Sequence, residues 1–187
     1  MNLPKLHLSC LKDQLRKALN YVQIRKDYVA STNSHVVVWY NTSDLFDKDF
    51  IDKLPEEGIL VHREDWAKIQ KSTHCRVDNG IIYASSPKFR KILIEVVNAD
   101  EMRFPDWRAV IPNNARASID VDSIGLNPNY VHLVGKILET ENLKFEFIGR
   151  RGIVSCLIRS TFDDDKGTAM VLGLDIRDSL DRIVTFN

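Results

Sequence analysis

Apolar residues recur along this chain in two rhythms, one at helical spacing and one alternating, and the order of the rhythms repeats. The first pass opens with a short strand at 5–9, after which Leu11, Leu15, Ala18 and Leu19 share one face of a helix predicted over 11–21. Strands follow at 21–24, 28–31 and 35–40, with turns at 25–27 and 32–34. Residues 44–58, rich in Asp, Lys, Glu and Pro, read as a surface crossover with a helical turn.

The second pass runs as a strand at 58–62, a helix at 63–72 and strands at 74–77, 80–84 and 90–97. Between two of these strands, Asn79-Gly80 supplies the positive φ that a tight hairpin needs. The third pass has strand-like pieces at 117–121 and 123–126, and then Asn127 caps a helix with Pro128 at its first position. That helix is predicted to reach Leu138, with strands at 143–148, 153–159 and 168–176 and turns at 149–152 and 163–167. Residues 178–187 read as a tail in which 183–186 can add an edge strand or pack on a neighbour. The pattern predicts an α+β fold of three βαβββ-like units, with helices on one face of antiparallel sheets and the other sheet face in water. It divides into a two-unit domain at 1–112 and a one-unit half-domain with its tail at 113–187.

Composition narrows the function classes. A 187-residue chain that is 44% hydrophobic and 28% charged has the balance of a globular protein. Lys+Arg and Asp+Glu both count 26, so a general basic affinity for nucleic acid is excluded and any DNA contact needs local segregation of charge. No apolar run has the length of a membrane span, Met1-Asn-Leu-Pro-Lys-Leu-His lacks the apolar centre of a signal peptide, and a cytoplasmic location is expected. Cys10, Cys75 and Cys156 are widely spaced, with no CxxC pair and no zinc spacing, and are expected to be buried thiols. The chain has no phosphate-binding glycine loop, no nucleophile elbow and no HExxH helix. Asp163-Asp-Asp165 beside Lys166 and Gly167 reads as a solvated turn, so no enzyme activity, metal or cofactor is expected.

One connector is unusual. Met102-Arg-Phe-Pro-Asp-Trp-Arg-Ala-Val-Ile-Pro112 sets two prolines, two arginines and two aromatics between strand-like runs. Pro105 and Pro112 fix φ and remove donors, which predicts an extended arm over 106–111. Its order resembles a motif of the bacterial DNA sliding clamp, the β subunit of DNA polymerase III. Val29-Ala-Ser-Thr-Asn-Ser-His-Val-Val37 is similar to a second clamp segment. Ile124-Gly-Leu-Asn-Pro-Asn-Tyr-Val-His-Leu-Val134, Glu141-Asn-Leu-Lys-Phe145 and Met170-Val-Leu-Gly-Leu174 resemble its last half-domain. The resemblance spans roughly 6–176. A clamp subunit has three domains of two units each, however, and this chain offers three units. It resembles the middle domain joined directly to the second half of the last, at Asn113-Asn-Ala-Arg116.

The resemblance implies two sites. A hydrophobic cleft for short peptide motifs of polymerases and clamp-loader-like proteins maps to Thr32, Ser34, His35, Val36, Val37, Pro105, Arg108, Val110, Met170, Val171 and Leu172. Val36 and Ala109 stand where the family often has arginine, which implies altered polar anchoring of a partner. A face toward double-stranded DNA, read without regard to sequence, maps to the outer sides of the helices through Lys12, Arg16, Lys17, Arg63, Lys68, Lys71 and Lys136. Asp13, Glu64, Asp65, Glu139 and Glu141 dilute that charge, and cations on an exposed helix are more often merely solvated. The function implied is that of a processivity factor encircling DNA as a homo-oligomer, either a tetramer of three-unit chains or a pairing of orphan half-domains across a two-fold axis. The alternative is a non-encircling homologue that acts as a protein-interaction module or as a regulator of a replication clamp.

Overall fold

The computed structural model describes residues 3–87, 89–99, 101–111, 124–150, 153–161 and 167–175. The elements in chain order are β1 (Tyr21–Ile24), β2 (Tyr28–Thr32), β3 (Val36–Asn41), α1 (Thr42–Leu45), α2 (Lys48–Asp52), β4 (Ile59–His62), α3 (Arg63–Ile69), β5 (His74–Asp78), β6 (Ile81–Ser86), β7 (Phe89–Glu95) and β8 (Val97–Asn98). β9 (Ile124–Gly125), α4 (Pro128–Leu138), β10 (Leu143–Arg150), β11 (Ile153–Ser160) and β12 (Thr168–Asp175) complete the set. The fold is α+β with antiparallel sheets. β5, β6 and β7 form a small sheet, and the larger one has the order β10-β11-β12-β3-β2-β1-β4-β8, with β9 also on β12.

Local chemistry accounts for the elements that form where the pattern places them. Asn79 (φ 48°) and Gly80 (φ 74°) both take the left-handed conformation between β5 and β6. The Asn127 side chain accepts from the Asn129 backbone N–H, and Pro128 follows at the first position of α4. Gly58 enters β4 at φ 81°, where a side chain would press on the Ile24 carbonyl oxygen.

The beginning of the chain departs from expectation. Residues 6–9 make a 3-10 turn instead of a strand, and 11–20 make a loop ending in the 3-10 turn Lys17–Asn20 instead of a helix. Asp13 Oδ1 accepts from the backbone N–H groups of Leu15 at 2.7 Å and Arg16 at 3.3 Å. Asn20 closes the loop by donating to the Asp13 carbonyl at 2.6 Å and accepting from its N–H at 3.1 Å. These side chains satisfy backbone groups that a helix would have used, and Leu15 is left 95% exposed. The segment before the loop is tied down instead. The Trp66 indole donates to the Pro4 carbonyl at 2.8 Å, the Leu3 N–H donates to the Gln70 carbonyl, and Leu6 is buried in the main core.

Period-two alternation gives the larger sheet two apolar layers. Val22, Ile24, Val29, Val36, Val38, Ile59, Val61, Cys156, Ile158, Ala169 and Val171 face the main core, where Trp66, Ile69, Val134, Ile137 and Leu138 of α3 and α4 meet them. Tyr28, Ala30, Val37, Leu60, Leu157 and Met170 form a second layer with Phe104 and Trp107. The expectation that this second face lies in water is therefore corrected. The arm covers it, and the reason is the pair of aromatics that the arm carries.

Sheet continuity joins the two ends of the chain. β12 pairs with β3 through Ala169↔Val38, Met170↔Val37 and Val171↔Val36, and the Leu172 N–H extends the ladder to the His35 carbonyl at 3.1 Å. Tyr40 on β3 donates to the Ile137 carbonyl of α4 at 3.2 Å. The expected pieces at 117–121 and 178–187, the acidic run at 163–165 and the join at 113–116 lie outside the described residues.

Candidate functional site

The β3–β12 seam has a cleft at one end. It measures about 170 Å³ and lies among three stretches far apart in sequence: 32–37 from the β2–β3 turn, 105–110 from the arm, and 170–172 from β12. Each stretch is held by its own local bonds.

The turn is built by its polar side chains. Asn33 Oδ1 accepts from the N–H groups of His35 at 3.0 Å and Val36 at 2.9 Å, while the Thr32 hydroxyl donates to the Val36 carbonyl at 2.8 Å. Ser34 is forced to φ 78°, a conformation that costs a non-glycine residue free energy and persists because its neighbours determine it. Arg16 Nη1 donates to Ser34 Oγ at 3.2 Å, and the His35 ring stacks on Tyr130 of α4 with centroids 5.5 Å apart.

The arm is not extended over 106–111 as expected, because Trp107–Val110 forms one turn of 3-10 helix. Pro105 has no N–H but accepts from Trp107 at 2.9 Å, and the indole then swings onto the second sheet layer. Trp107 meets Tyr28 edge-on with centroids 5.1 Å apart and tilts against Trp39 at 4.9 Å. Arg108 pairs with Asp27 at 2.8 Å and lies 4.2 Å over the Tyr28 ring. It is directed away from the cleft and pins the arm from outside.

The third wall is β12. Met170 is buried while Leu172 is 42% exposed, and Val110 of the arm is 54% exposed. Leu19, Pro105 and Trp107 complete the apolar lining, with Asp106 and Ser34 as its polar members beside Thr32 and His35. Such a surface favours burial of a partner's apolar side chains and offers few polar groups to set register. None of Cys10, Cys75 and Cys156 lines the cleft. Burial pushes the Cys10 and Cys156 thiols up to about 12 and Cys75 to about 11.

Of the residues assigned to the cleft, the structure brings together Thr32, Ser34, His35, Val36, Val37, Pro105, Val110, Met170 and Leu172. Val171 points to the main core instead, because it neighbours Met170 and Leu172 on an alternating strand, and Arg108 is held by Asp27. Leu19, Asp106 and Trp107 were missed. The last two sit inside the Arg103-Phe-Pro-Asp-Trp-Arg108 string, so their signal was present. Leu19 was assigned to the buried face of a helix that does not form.

The cationic set is scattered by comparison. Lys12, Arg16 and Lys17 are on the loop, not on a helix, and Arg16 is engaged by Asp13 at 2.9 Å and by Ser34 at the cleft rim. Lys68 on α3 is bound by Asp65 at 2.6 Å. Arg63 is half-buried at the start of α3, while Lys71 and Lys136 are exposed after α3 and on α4. Among the described residues no group of three or more His, Cys, Asp or Glu is placed to hold a metal ion. Among the same residues, no helix is long and apolar enough to cross a membrane.

Fold and site together define an α+β protein with antiparallel sheets and an apolar cleft at a sheet seam. Comparison with protein-family models and with curated proteins returns no match.

Proposed function

We propose that this chain is a shortened sliding-clamp-like protein whose cleft receives short apolar peptide motifs of partners such as a DNA polymerase or a clamp-loader-like protein. One observation carries the reading. Three sequence blocks that resemble the clamp, 29–37, 103–108 and 170–174, lie apart in the chain and meet at this one cleft. The order strand, helix, three strands at β4-α3-β5-β6-β7 and again at β9-α4-β10-β11-β12 supports repeated clamp-type units for the second and third passes. The first pass lacks its leading strand and helix.

As a processivity factor the protein would act by topology, as an oligomer around duplex DNA in the cytoplasm, without catalytic residues. The second reading is a non-encircling interaction module, possessing the cleft but no DNA-lining surface. It is favoured by the state of the cations, since the helix meant to carry Lys12, Arg16 and Lys17 is absent and two of the intended phosphate contacts are held by aspartates.

Two measurements separate them. Peptide-library selection on the full chain is expected to return apolar motifs whose binding Leu172→Asp abolishes; selection of none, or indifference to that substitution, sinks the cleft reading. Retention on circular but not linear duplex DNA supports encirclement. Loss of that retention when Lys12, Arg16, Lys68 and Lys71 are neutralised together assigns the DNA surface, whereas unchanged partner binding and no retention favour the module.

A further inference from the structure

Among the described residues, the two ends of the larger sheet are unlike. One ends in β8, which is two residues long, and the other ends in β10, which is eight. An exposed edge invites pairing, and proteins blunt it with short strands, prolines or bulges. β8 is blunted by its length. β10 has no proline, and its register with β11 runs unshifted from Leu143↔Ser160 to Arg150↔Ile153.

Phe145 and Phe147 of β10 are each 38% exposed. They stand opposite Ile158 and Cys156, which are both fully buried, so the main core's apolar layer continues to the sheet edge and stops there. On the other face of the same strand Lys144 and Glu146 pair at 2.9 Å. The sequence Lys-Phe-Glu-Phe over 144–147 thus puts apolar residues on one face and a balanced pair of charges on the other.

We propose that β10 is the docking edge for a second copy of this chain, the two strands lying antiparallel about a two-fold axis at Phe145. In this register Phe145 faces its own counterpart, Leu143 faces Phe147, and Lys144 of each copy faces Glu146 of the other. The alternatives are worse on physical grounds. Shifting the pairing by two residues sets Lys144 against Lys144 or Glu146 against Glu146, and like charges directly opposite destabilise a strand pair. A shift of one residue turns the second copy's apolar face to the opposite side of the joined sheet, so the two layers no longer meet. The chosen register satisfies both faces at once, and it is isologous, so it closes after two copies. It lies two strands from the cleft and does not depend on what the cleft binds.

The test is light scattering across a concentration series of the full chain, with far-UV circular dichroism to verify folding. The wild-type chain is expected to dimerise. Lys144→Glu and Glu146→Lys should each weaken the dimer at least tenfold by creating like-charge contacts, and the double exchange should restore it. Phe145→Asp is expected to be a folded monomer. A wild-type chain that is monomeric throughout overturns the proposal. So does a dimer indifferent to the single exchanges, or a double exchange no tighter than either one.

Discussion

Leu172 and Val110 both line the cleft while 42% and 54% exposed, so their contribution to the folded state is small and their availability to a partner is large. Replacing either by Asp is expected to change unfolding free energy by about 0.5 kcal/mol or less, as for other surface positions, while weakening peptide binding at least tenfold; urea melts and fluorescence anisotropy measure the two. Trp107 is the opposite case. It is 5% exposed and wedged against Tyr28 and Trp39, so Trp107→Ala should cost about 3–5 kcal/mol and open the second layer to water, read as a lowered urea midpoint. His7 gives a pH signature. Burial, and after it the Arg63 and Lys5 charges, lower its folded value below the ordinary 6.5. The unfolded chain therefore takes up the proton first, and the contribution of neutral His7 is present in full above 6.5 and is lost as pH falls through the lowered folded value. Between about pH 7.5 and pH 5, above most carboxylate titrations, the urea midpoint should fall for the wild-type chain and fall less for His7→Gln.

At the scale of elements, α4 and the loop before β1 make an instructive pair. Asn127→Ala removes the cap of α4 and should cost about 1 kcal/mol in thermal or urea melts, because the bond to the Asn129 N–H has no substitute in the helix. α4 and the β5–β6 hairpin were legible in the sequence because the residues that start or turn them, Asn127-Pro128 and Asn79-Gly80, act within a few positions. The loop over 11–20 was not. Its leucine spacing matches a helix, yet the Asn20 side chain bonds to the Asp13 backbone across seven residues while Asp13 Oδ1 takes the nearby Leu15 and Arg16 N–H groups, and no periodicity reports that. The same holds for the arm. Its prolines announced rigidity, but the destination of Phe104 and Trp107 depends on an apolar second sheet face that only the assembled strands create.

On the scale of the whole molecule, the seam between β3 and β12 decides the behaviour. Shared strands and a common core on both sides of it predict one cooperative thermal transition, with far-UV and tryptophan signals coinciding; two separated transitions would show that the first and last thirds of the chain melt independently. Which strand β12 would choose was not readable from the sequence, since its alternation fits any apolar partner and register is set by long-range packing. Nine of the eleven residues placed at the cleft by resemblance do line it; of the two that do not, Arg108 is held by Asp27 and Val171 is a matter of parity. In β12 the even positions 170 and 172 line the cleft while the odd positions 169 and 171 fill the core. Site and core are thus written on alternate letters of one word. Substitution at the half-exposed Leu172 can retune what the cleft accepts and leave the interior intact, whereas Met170 also packs in the second layer. An insertion or deletion of a single residue in this stretch would exchange the two sets, so lineages that diversify this surface are expected to do so by replacement and never by a one-residue change in length.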